Sequence, residues 1–273
     1  MDLGLKGKVA VVMASSSGIG QGIATVLAQE GCALALCAQK RERLDASASA
    51  LRKSSVSPVF AMSADVSDGT SLDKFFKSVF DEYGKIDILV NNAGLSMRAS
   101  FLDVDVKVLH RLMNVNFWGT VYCSKYALPY LIEKKGSLIG VSSVAGFHGL
   151  PGRTGYSASK FAVHGLLETI RIENLKKGLH VMVIAPGFTS TNIRKHALTA
   201  NGQEQGESPR DEQKLMSPEY VAKWVLKGIK KKKRNKLLTW DGRFTALFQR
   251  IVPGLVDWAY YHEMLKEPKS PIK

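Results

Sequence analysis

A serine, a tyrosine and a lysine form the strongest chemical pattern in this sequence. Ser143 closes an apolar run, and Tyr156 and Lys160 follow thirteen and seventeen positions later in a helical stretch. Because a tyrosine and a lysine four positions apart share one helical face, we expect the ammonium to lower the tyrosine pKa from its reference of about 10. Such a phenol can give or take a proton near neutral pH, while the serine hydroxyl holds a carbonyl oxygen beside it. A surface Tyr–Lys pair beside a loop serine is the alternative, so the pattern needs support from the rest of the chain.

Small residues lie where the first predicted strand turns into a helix. The turn reads Ala14-Ser15-Ser16-Ser17-Gly18-Ile19-Gly20, and a helical pattern follows at once. Such residues let the backbone approach a pyrophosphate, and the helix N-terminus offers free N–H groups and the positive end of its dipole. An ordinary strand–helix turn has a similar composition, so the turn indicates a dinucleotide site without proving one.

The end of the second predicted strand bears on the choice of dinucleotide. It reads Cys37-Ala38-Gln39-Lys40-Arg41, with no carboxylate for the ribose 2′-hydroxyl of NAD and two cations that suit the 2′-phosphate of NADP. A solvated helix start is the alternative, although cations there oppose the helix dipole. We therefore expect NADP in preference to NAD, with Gln39, Lys40 and Arg41 at the adenosine ribose.

The elements that must position these residues alternate along the chain. Short apolar runs predict strands at 9–13, 33–38, 59–62, 86–90, 138–141, 181–184 and 237–240. Longer stretches predict helices near 19–30, 41–54, 69–83, 104–134, 155–177 and 217–232. The alternation predicts an α/β protein: a doubly wound, Rossmann-type parallel sheet of about seven strands with helices on both faces, in a single domain. Asn91-Asn92-Ala93-Gly94 would end the fourth strand, at the edge where such sheets bind ligands.

Two segments break this alternation. Residues 192–216 are polar and rich in Gly, Gln and Glu, which predicts a substrate lid. Residues 243–267 carry many large apolar side chains on either side of Pro253-Gly254. We assign 1–242 to a dinucleotide-binding catalytic domain that includes the lid, and 243–273 to a C-terminal extension.

In combination, the motifs resemble the short-chain dehydrogenase/reductase family across roughly residues 5–240. The matching pieces are Gly18-Ile19-Gly20, Asp65-Val66, Asn91-Asn92-Ala93-Gly94, Asn116, Ser143, Tyr156, Lys160, Pro186-Gly187 and Thr191. The family usually opens the phosphate turn with Thr-Gly, where this chain has Met13-Ala14, and its NADP enzymes often carry arginine at the position of Gln39 or Ser17. The resemblance implies an oxidoreductase that transfers a hydride between NADP(H) and a carbonyl or secondary alcohol.

The resemblance also implies a role for each motif. Tyr156 would be the general acid in reduction or the base in oxidation, and Lys160 would bind the nicotinamide ribose hydroxyls. Ser143 would polarise the substrate carbonyl, and Asn116 would hold a water that relays protons. The expected cofactor contacts are Ala14, Ser16, Ser17, Gly18, Ile19, Gly20, Gln39, Lys40, Arg41, Asp65, Val66, Asn92, Ala93, Gly94, Tyr156, Lys160, Pro186, Gly187, Phe188, Thr189 and Thr191.

Segments that should border the hydride site supply the expected substrate contacts. These are Met97, Arg98, Phe147, His148 and Arg153. A mainly apolar pocket with a few polar groups predicts a lipophilic substrate, such as a steroid-like or fatty-chain carbonyl. One alternative is a 3-oxoacyl thioester reductase in which Arg98 or Arg153 contacts the phosphopantetheine of a carrier. Another is a non-catalytic dinucleotide-binding or membrane-surface protein, against which the intact catalytic residues argue.

The positive charge of the chain is concentrated in one segment. Lys and Arg number 38 against 24 Asp and Glu, so the net charge is 38 − 24 = +14, and eight cations without an acid lie between Lys223 and Lys236. Such a run would suit nucleic acid, but no reading helix or RNA-binding signature accompanies it. The run precedes the apolar segment 243–267, so the alternatives are a solvated helix and a peripheral membrane contact through 223–267.

Other features narrow the class of protein. No stretch approaches the roughly 20 apolar residues of a membrane-spanning helix, and the first residues lack the pattern of a signal peptide. Three scattered cysteines fit a reducing compartment, and the histidines have no metal-ligand spacing. We expect a cytoplasmic protein, peripheral to a membrane in the alternative above, with no metal and no nucleic-acid partner, assembled as a homodimer or homotetramer.

Overall fold

The computed structural model describes residues 4–272, within which seven strands form one parallel sheet. The strands are β1 Val9–Met13, β2 Ala33–Ala38, β3 Val59–Ser63, β4 Ile88–Asn91, β5 Ser137–Val141, β6 His180–Ala185 and β7 Asn235–Leu237. Their order is β3-β2-β1-β4-β5-β6-β7, so the direction of winding reverses between β1 and β4. The predicted doubly wound α/β sheet is confirmed, and its ligand-binding crevice belongs at that reversal.

Helices cover both faces of the sheet. They are α1 Gly18–Gln29, α2 Arg41–Ser54, α3 Gly69–Tyr83, α4 Val106–Met113, α5 Gly119–Glu133, α6 Thr154–Glu173, α7 Pro218–Lys230, α8 Trp240–Phe248 and α9 Pro253–Leu265. One core packs the sheet against α1, α2 and α7 through side chains such as Ile23, Leu44 and Val225. A second core, which includes Phe75 and Leu167, packs the other face against α3, α5 and α6.

Two differences between the predicted elements and the structure bear on the site. The single helix predicted at 104–134 is two helices, because the π-helical segment Asn114–Trp118 separates α4 from α5. Such wider turns are common at functional sites. The last strand ends at Leu237 and does not reach residue 240, because the Thr239 hydroxyl accepts from the Gly242 N–H at 3.2 Å and caps α8.

The two C-terminal helices lie beside the segment that follows β5. A Cβ atom on Gly242 of α8 would lie 2.8 Å from Val144 Cγ2, and the hydroxyls of Thr245 and Tyr260 join α8 to α9 at 2.9 Å. Because α8 begins at Trp240, it straddles the predicted boundary at 242, and the division into two regions stays a prediction. In residues 4–272, no helix has the length and apolar character needed to cross a membrane.

Candidate active site

The turn after β1 leaves backbone N–H groups open at the start of α1. Ala14 and Gly18 have positive φ angles of 51° and 54°, which turn the chain sharply from strand to helix. Gly20 packs so closely that a Cβ atom there would lie 2.2 Å from the Ala14 carbonyl oxygen. Ser17, the N-cap of α1, makes no side-chain cap hydrogen bond among the described residues, and Ser17, Gly18 and Ile19 line a cavity. The free N–H groups and the close backbone fit a bound pyrophosphate.

Lys160 forms part of the wall of the same cavity. Its Nζ donates to the Val141 carbonyl oxygen at 3.0 Å, which is its one hydrogen bond within residues 4–272. Burial lowers the pKa of Lys160 to about 8. An ammonium has three N–H donors, so two remain for ligand hydroxyls. This donor set fits the ribose of a nicotinamide cofactor.

Tyr156 lies one helical turn before Lys160 and lines the same wall. The Lys160 Nζ is 5.8 Å from the centre of the tyrosine ring. Burial raises the pKa of Tyr156 above its ordinary value, while the Ser143 hydroxyl and the charges of Arg153 and Arg194 lower it by less. The expectation that Lys160 lowers this pKa is therefore wrong for the protein alone, because burial dominates and two arginines are the cations that oppose it. A phenol in this state retains its proton and suits a proton donor.

The two serines at the end of β5 have different partners. The Oγ of Ser143 accepts from the Ala145 N–H at 3.2 Å, and its own O–H remains to donate into the cavity that Ser143 lines. The Oγ of Ser142 lies 2.7 Å from Nε2 of His164. Burial lowers the pKa of His164 to about 4, so the ring is neutral near pH 7. The Ser142–His164 pair anchors the strand end to α6, which leaves Ser143 to hold a substrate oxygen.

Asn116 holds the segment that follows β4. Its Oδ1 accepts from the Leu95 N–H at 2.7 Å, and its Nδ2 donates to the Leu95 carbonyl at 2.9 Å and to Ser159 Oγ at 2.8 Å. Leu95 in turn lines the wall of the cavity. Asn116 therefore shapes the site through Leu95, and its role in a water relay stays a prediction.

A second cavity, of about 500 Å³, shares Ala14, Gly94 and Leu95 with the first. The predicted cofactor residues on its wall are Ala14, Gln39, Asp65, Val66, Ala93 and Gly94. Gln39 Nε2 donates to Asp65 Oδ2 at 2.8 Å. Although burial alone would raise the pKa of Asp65, hydrogen bonds from Ser67 and Gln39 and the charge of Arg111 hold it below its ordinary value. An ionised carboxylate here can accept from an adenine amino group.

The predicted phosphate-reading cations lie beside this second cavity. Lys40 and Arg41 are exposed next to Gln39, and Arg41 pairs with Asp45 at 3.4 Å. Such an exposed ion pair contributes little and yields readily to another anion. Three polar residues of α4 that sequence reasoning missed also line the cavity: Lys107, His110 and Arg111. Their spacing places them on one helical face, but many solvated helices carry the same pattern.

The first cavity has a volume of about 300 Å³ and contains most of the predicted site. The predicted residues on its wall are Ala14, Ser17, Gly18, Ile19, Asn92, Gly94, Ser143, Arg153, Tyr156, Lys160, Pro186, Gly187, Phe188, Thr189 and Thr191. Five of the predicted catalytic and cofactor-binding residues line neither cavity: Ser16, Gly20, Lys40, Arg41 and Asn116. Sequence reasoning missed Arg194, Asp241 and Tyr260, which complete the wall from the lid, α8 and α9.

Of the five expected substrate contacts, Arg153 lines the cavity and the other four lie elsewhere, so their contact with substrate stays a prediction. Met97 is buried in a small separate core, where its Sδ accepts from the Gly155 N–H at 3.3 Å. Phe147 packs edge-on against His164, with ring centres 4.4 Å apart. His148 lies 3.2 Å from Gln249 Oε1. The sequence does not show whether a residue at the ligand-binding edge of the sheet faces the ligand or packs against a neighbouring element.

Arg98 is the fourth expected contact that does not line the cavity. It shares one buried carboxylate with Arg153. Glu267 Oε2 lies 3.3 Å from Arg98 Nε and 3.3 Å from Arg153 Nη2, while Oε1 accepts from Arg210 Nε at 3.1 Å. The Glu267 side chain is 3% exposed. Arg210 also lies over the Phe188 ring, 3.8 Å from its centre. We call Glu267 and its three arginines the arginine cluster; because it occupies Arg98 and Arg153, it disfavours a role for either on the phosphopantetheine of a carrier.

Ion pairs and backbone hydrogen bonds hold the predicted lid, residues 192–216, beside the cavity. Arg194 Nη2 lies 2.6 Å from Glu212 Oε2 and donates to the Thr189 carbonyl at 2.7 Å. Leu198 forms a parallel bridge with Met97, and its carbonyl accepts from the Arg98 N–H at 2.7 Å. Asn192, Ile193, Arg194 and His196 line the cavity. The segment therefore forms one wall of the site, and its opening and closing stay a prediction.

Known proteins are similar to this chain in sequence and in fold. A family model described as short chain dehydrogenase matches residues 8–202. The mouse (Mus musculus) protein "Dehydrogenase/reductase SDR family member 7B" is 32% identical over 271 residues, which cover 97% of this chain and 84% of the mouse protein. "11-beta-hydroxysteroid dehydrogenase 1A" of Arabidopsis thaliana is 31% identical over 261 residues, which cover 93% of this chain and 74% of that protein.

A solved structure extends the likeness to three dimensions. It is an alcohol dehydrogenase from the archaeon Thermococcus sibiricus, complexed with 5-hydroxy-NADP. The TM-score is 0.76 and the sequence identity 29%, over 85% of this chain and 96% of that one.

Proposed function

Because the chain belongs to the short-chain dehydrogenase/reductase family, we propose that it transfers a hydride between NADP(H) and a lipophilic carbonyl or secondary alcohol. One observation carries this proposal. Ser143, Tyr156 and Lys160 meet in the wall of one cavity, where Lys160 is buried and retains two unused N–H donors.

The chain's own residues transfer the proton and stabilise the charge that develops on the carbonyl oxygen. A bound nicotinamide supplies or accepts the hydride. In reduction, Tyr156 Oη donates its proton to the carbonyl oxygen, and the Ser143 hydroxyl donates a hydrogen bond to that same oxygen. The Lys160 ammonium binds ribose hydroxyls and keeps positive charge near the phenol as it loses its proton. In oxidation, Tyr156 takes the proton from the alcohol.

Three features support NADP over NAD. Gln39 stands where an NAD enzyme carries a carboxylate, and Lys40 and Arg41 follow it at the exposed start of α2. Asp65, a carboxylate on the wall of the second cavity, already accepts from Gln39 and Ser67. The similar archaeal alcohol dehydrogenase is complexed with 5-hydroxy-NADP.

The wall of the first cavity supports a lipophilic substrate. Leu95, Val144, Leu150, Phe188 and Ile193 contribute apolar surface. The two arginines on this wall are engaged by Glu267 and Glu212, so neither offers an unpaired charge to a polar substrate. A relative from Arabidopsis thaliana bears the name of a hydroxysteroid dehydrogenase.

Calorimetric titration of NADPH and NADH separately tests the cofactor choice. We expect NADPH to bind at least about tenfold more tightly, since one phosphate contact of this kind contributes roughly 1.4 kcal/mol or more. The double variant Lys40→Ala/Arg41→Ala should lose that preference. Lys53→Ala, which removes an exposed lysine at the other end of α2, is the matched control and should keep it. Equal binding of both dinucleotides by the wild type contradicts the choice of NADP.

Turnover tests the chemistry and the substrate class. Steroid ketones and long-chain ketones should support NADPH oxidation, whereas small polar sugars should not. Tyr156→Phe should reduce kcat by about 10²-fold or more while NADPH binding is retained. Turnover of sugars alone contradicts the lipophilic assignment. An unchanged biological activity in Tyr156→Phe supports the non-catalytic alternative.

A further inference from the structure

Helices α8 and α9 turn their large apolar side chains toward solvent. Nine large apolar residues of α8, α9 and the turn between them are 38–73% exposed, among them Trp240, Phe244, Leu247, Ile251, Leu255 and Trp258. The side of α8 that packs on the protein carries Gly242 and Thr245, and the buried residues of α9 are Val256 and Met264. A surface helix ordinarily turns its apolar stripe to the core, so the arrangement here is reversed. We call these exposed side chains the C-terminal apolar face.

The members of this face lie together. Trp240, Phe244, Leu247 and Phe248 follow one another at helical spacing, which places them along one side of α8, and Ile251 lies in the turn after the end of that helix. The rings of Phe244 and Phe248 stack with centres 5.7 Å apart. A contiguous exposed apolar surface of this kind marks a site of contact with a protein or a membrane.

Unpaired cations border the face. Arg243 lies over the Trp240 ring, 4.9 Å from its centre. Burial and then the charges of Arg243, Lys233 and Lys227 lower the pKa of Lys236, so these four cations lie close together. Within residues 4–272, neither Arg243 nor any of the eight cations from 223 to 236 forms an ion pair. Negative charge on a partner would therefore complement this surface.

The unpaired cations distinguish between two possible occupants of the C-terminal apolar face, a second copy of the chain and an anionic membrane. A second copy docking through the same face would bring two sets of unpaired cations together, because a two-fold interface repeats each patch on both sides. An anionic phospholipid surface would accept the apolar side chains between its headgroups and neutralise the cations around them.

The face and the first cavity are built on the same two helices. Asp241, which lines the cavity, follows Trp240 directly in α8. Tyr260, also on the cavity wall, precedes Tyr261 of the apolar face in α9. A molecule dissolved in lipid at the face would therefore be next to the wall of the site.

We propose that the C-terminal apolar face docks the protein on an anionic phospholipid membrane, where lipophilic substrate reaches the cavity from the lipid. The docking stands on the exposed side chains and cations alone, whereas the route of the substrate rests on the proposed function.

Vesicle flotation measures docking without any turnover. Vesicles of phosphatidylcholine containing phosphatidylserine should carry the wild type upward, and pure phosphatidylcholine vesicles should do so less well. High salt should weaken the binding without abolishing it, since the apolar contacts persist. Leu247→Ser/Leu255→Ser should reduce binding roughly tenfold or more. The matched control, Phe101→Ser/Leu102→Ser, removes an exposed apolar pair from the segment before α4, outside α8 and α9, and should float like the wild type.

Several outcomes overturn the docking proposal. Wild type that remains at the bottom of the gradient with both kinds of vesicle overturns it, as does a Leu247→Ser/Leu255→Ser variant that floats normally. If light scattering shows that this variant converts a dimer to a monomer while vesicle binding is absent, the face joins copies of the chain. Vesicle binding without any ketone turnover leaves docking in place and refutes the proposed function alone.

Discussion

Replacement of Glu267 by glutamine tests the arginine cluster most directly. The change removes the one carboxylate that contacts Arg98, Arg153 and Arg210, at 3.3, 3.3 and 3.1 Å. Arg210 retains Glu263 at 3.5 Å, but Arg98 and Arg153 retain only backbone carbonyls among the described residues. Because both side chains are 10% exposed or less, water cannot replace the lost charge.

Removal of one partner from a buried ion pair costs about 3–5 kcal/mol. For a domain of this size, that corresponds to a fall in Tm of roughly 6–20 °C. Thermal unfolding followed by circular dichroism measures the loss. The matched control is Glu263→Gln, which removes an exposed carboxylate from Arg210 and Lys266 and should change the free energy of unfolding by about 1 kcal/mol or less.

The arginine cluster also predicts the effect of removing one of the positive charges that Glu267→Gln leaves without a partner. Addition of Arg98→Met to Glu267→Gln should restore part of the lost stability, since one uncompensated guanidinium is removed. The KM for the substrate should rise in Glu267→Gln, because Arg153 lines the cavity and loses the partner that positions it. If the free energy of unfolding of Glu267→Gln is within about 1 kcal/mol of the wild-type value, the carboxylate does not hold the three arginines together.

Three other changes test the site. Ketone reduction should decline as pH rises through about 8, where Lys160 loses its proton, and the decline should be absent in Lys160→Arg, whose guanidinium stays charged; the same decline in both enzymes contradicts the assignment. Since burial lowers the pKa of His164 to about 4 from an unfolded value of 6.5, the unfolded state binds a proton first, and the free energy of unfolding should fall as pH drops through that window. His164→Gln should flatten this dependence in denaturant titrations, though not fully, because burial also lowers the pKa of His180. Gly20→Ala should weaken dinucleotide binding by about tenfold or more, because the added Cβ would meet the Ala14 carbonyl at 2.2 Å, whereas Gly165→Ala, with nothing within 4 Å, should leave binding unchanged in the same titration.

The sheet and the chemical core of the site could be predicted from sequence because both depend on local pattern. The run that predicted β5 at 138–141 corresponds to the strand at 137–141, and Ser143 follows it as expected. Ser143, Tyr156 and Lys160 are recognised by type and spacing, since parallel strands bring their carboxyl ends to one edge.

The remainder of the site depends on contacts that no local pattern records. Glu267 lies 114 positions from Arg153, yet the two share an ion pair. The tyrosine pKa was predicted in the wrong direction because the sequence shows the neighbouring lysine but not the burial that raises the pKa. Opening of the lid and assembly into a dimer or tetramer stay predictions.

The wall of the first cavity is formed by two parts of the chain, one inside and one outside the span that the family model matches. The turn after β1 and the catalytic side chains lie within residues 8–202, the span that the family model matches. Asp241 and Tyr260 lie beyond it, on α8 and α9, which contain none of the predicted catalytic or cofactor-binding residues. Chimaeras that exchange the segment after residue 202 between relatives should therefore change substrate preference while Ser143, Tyr156 and Lys160 stay in place.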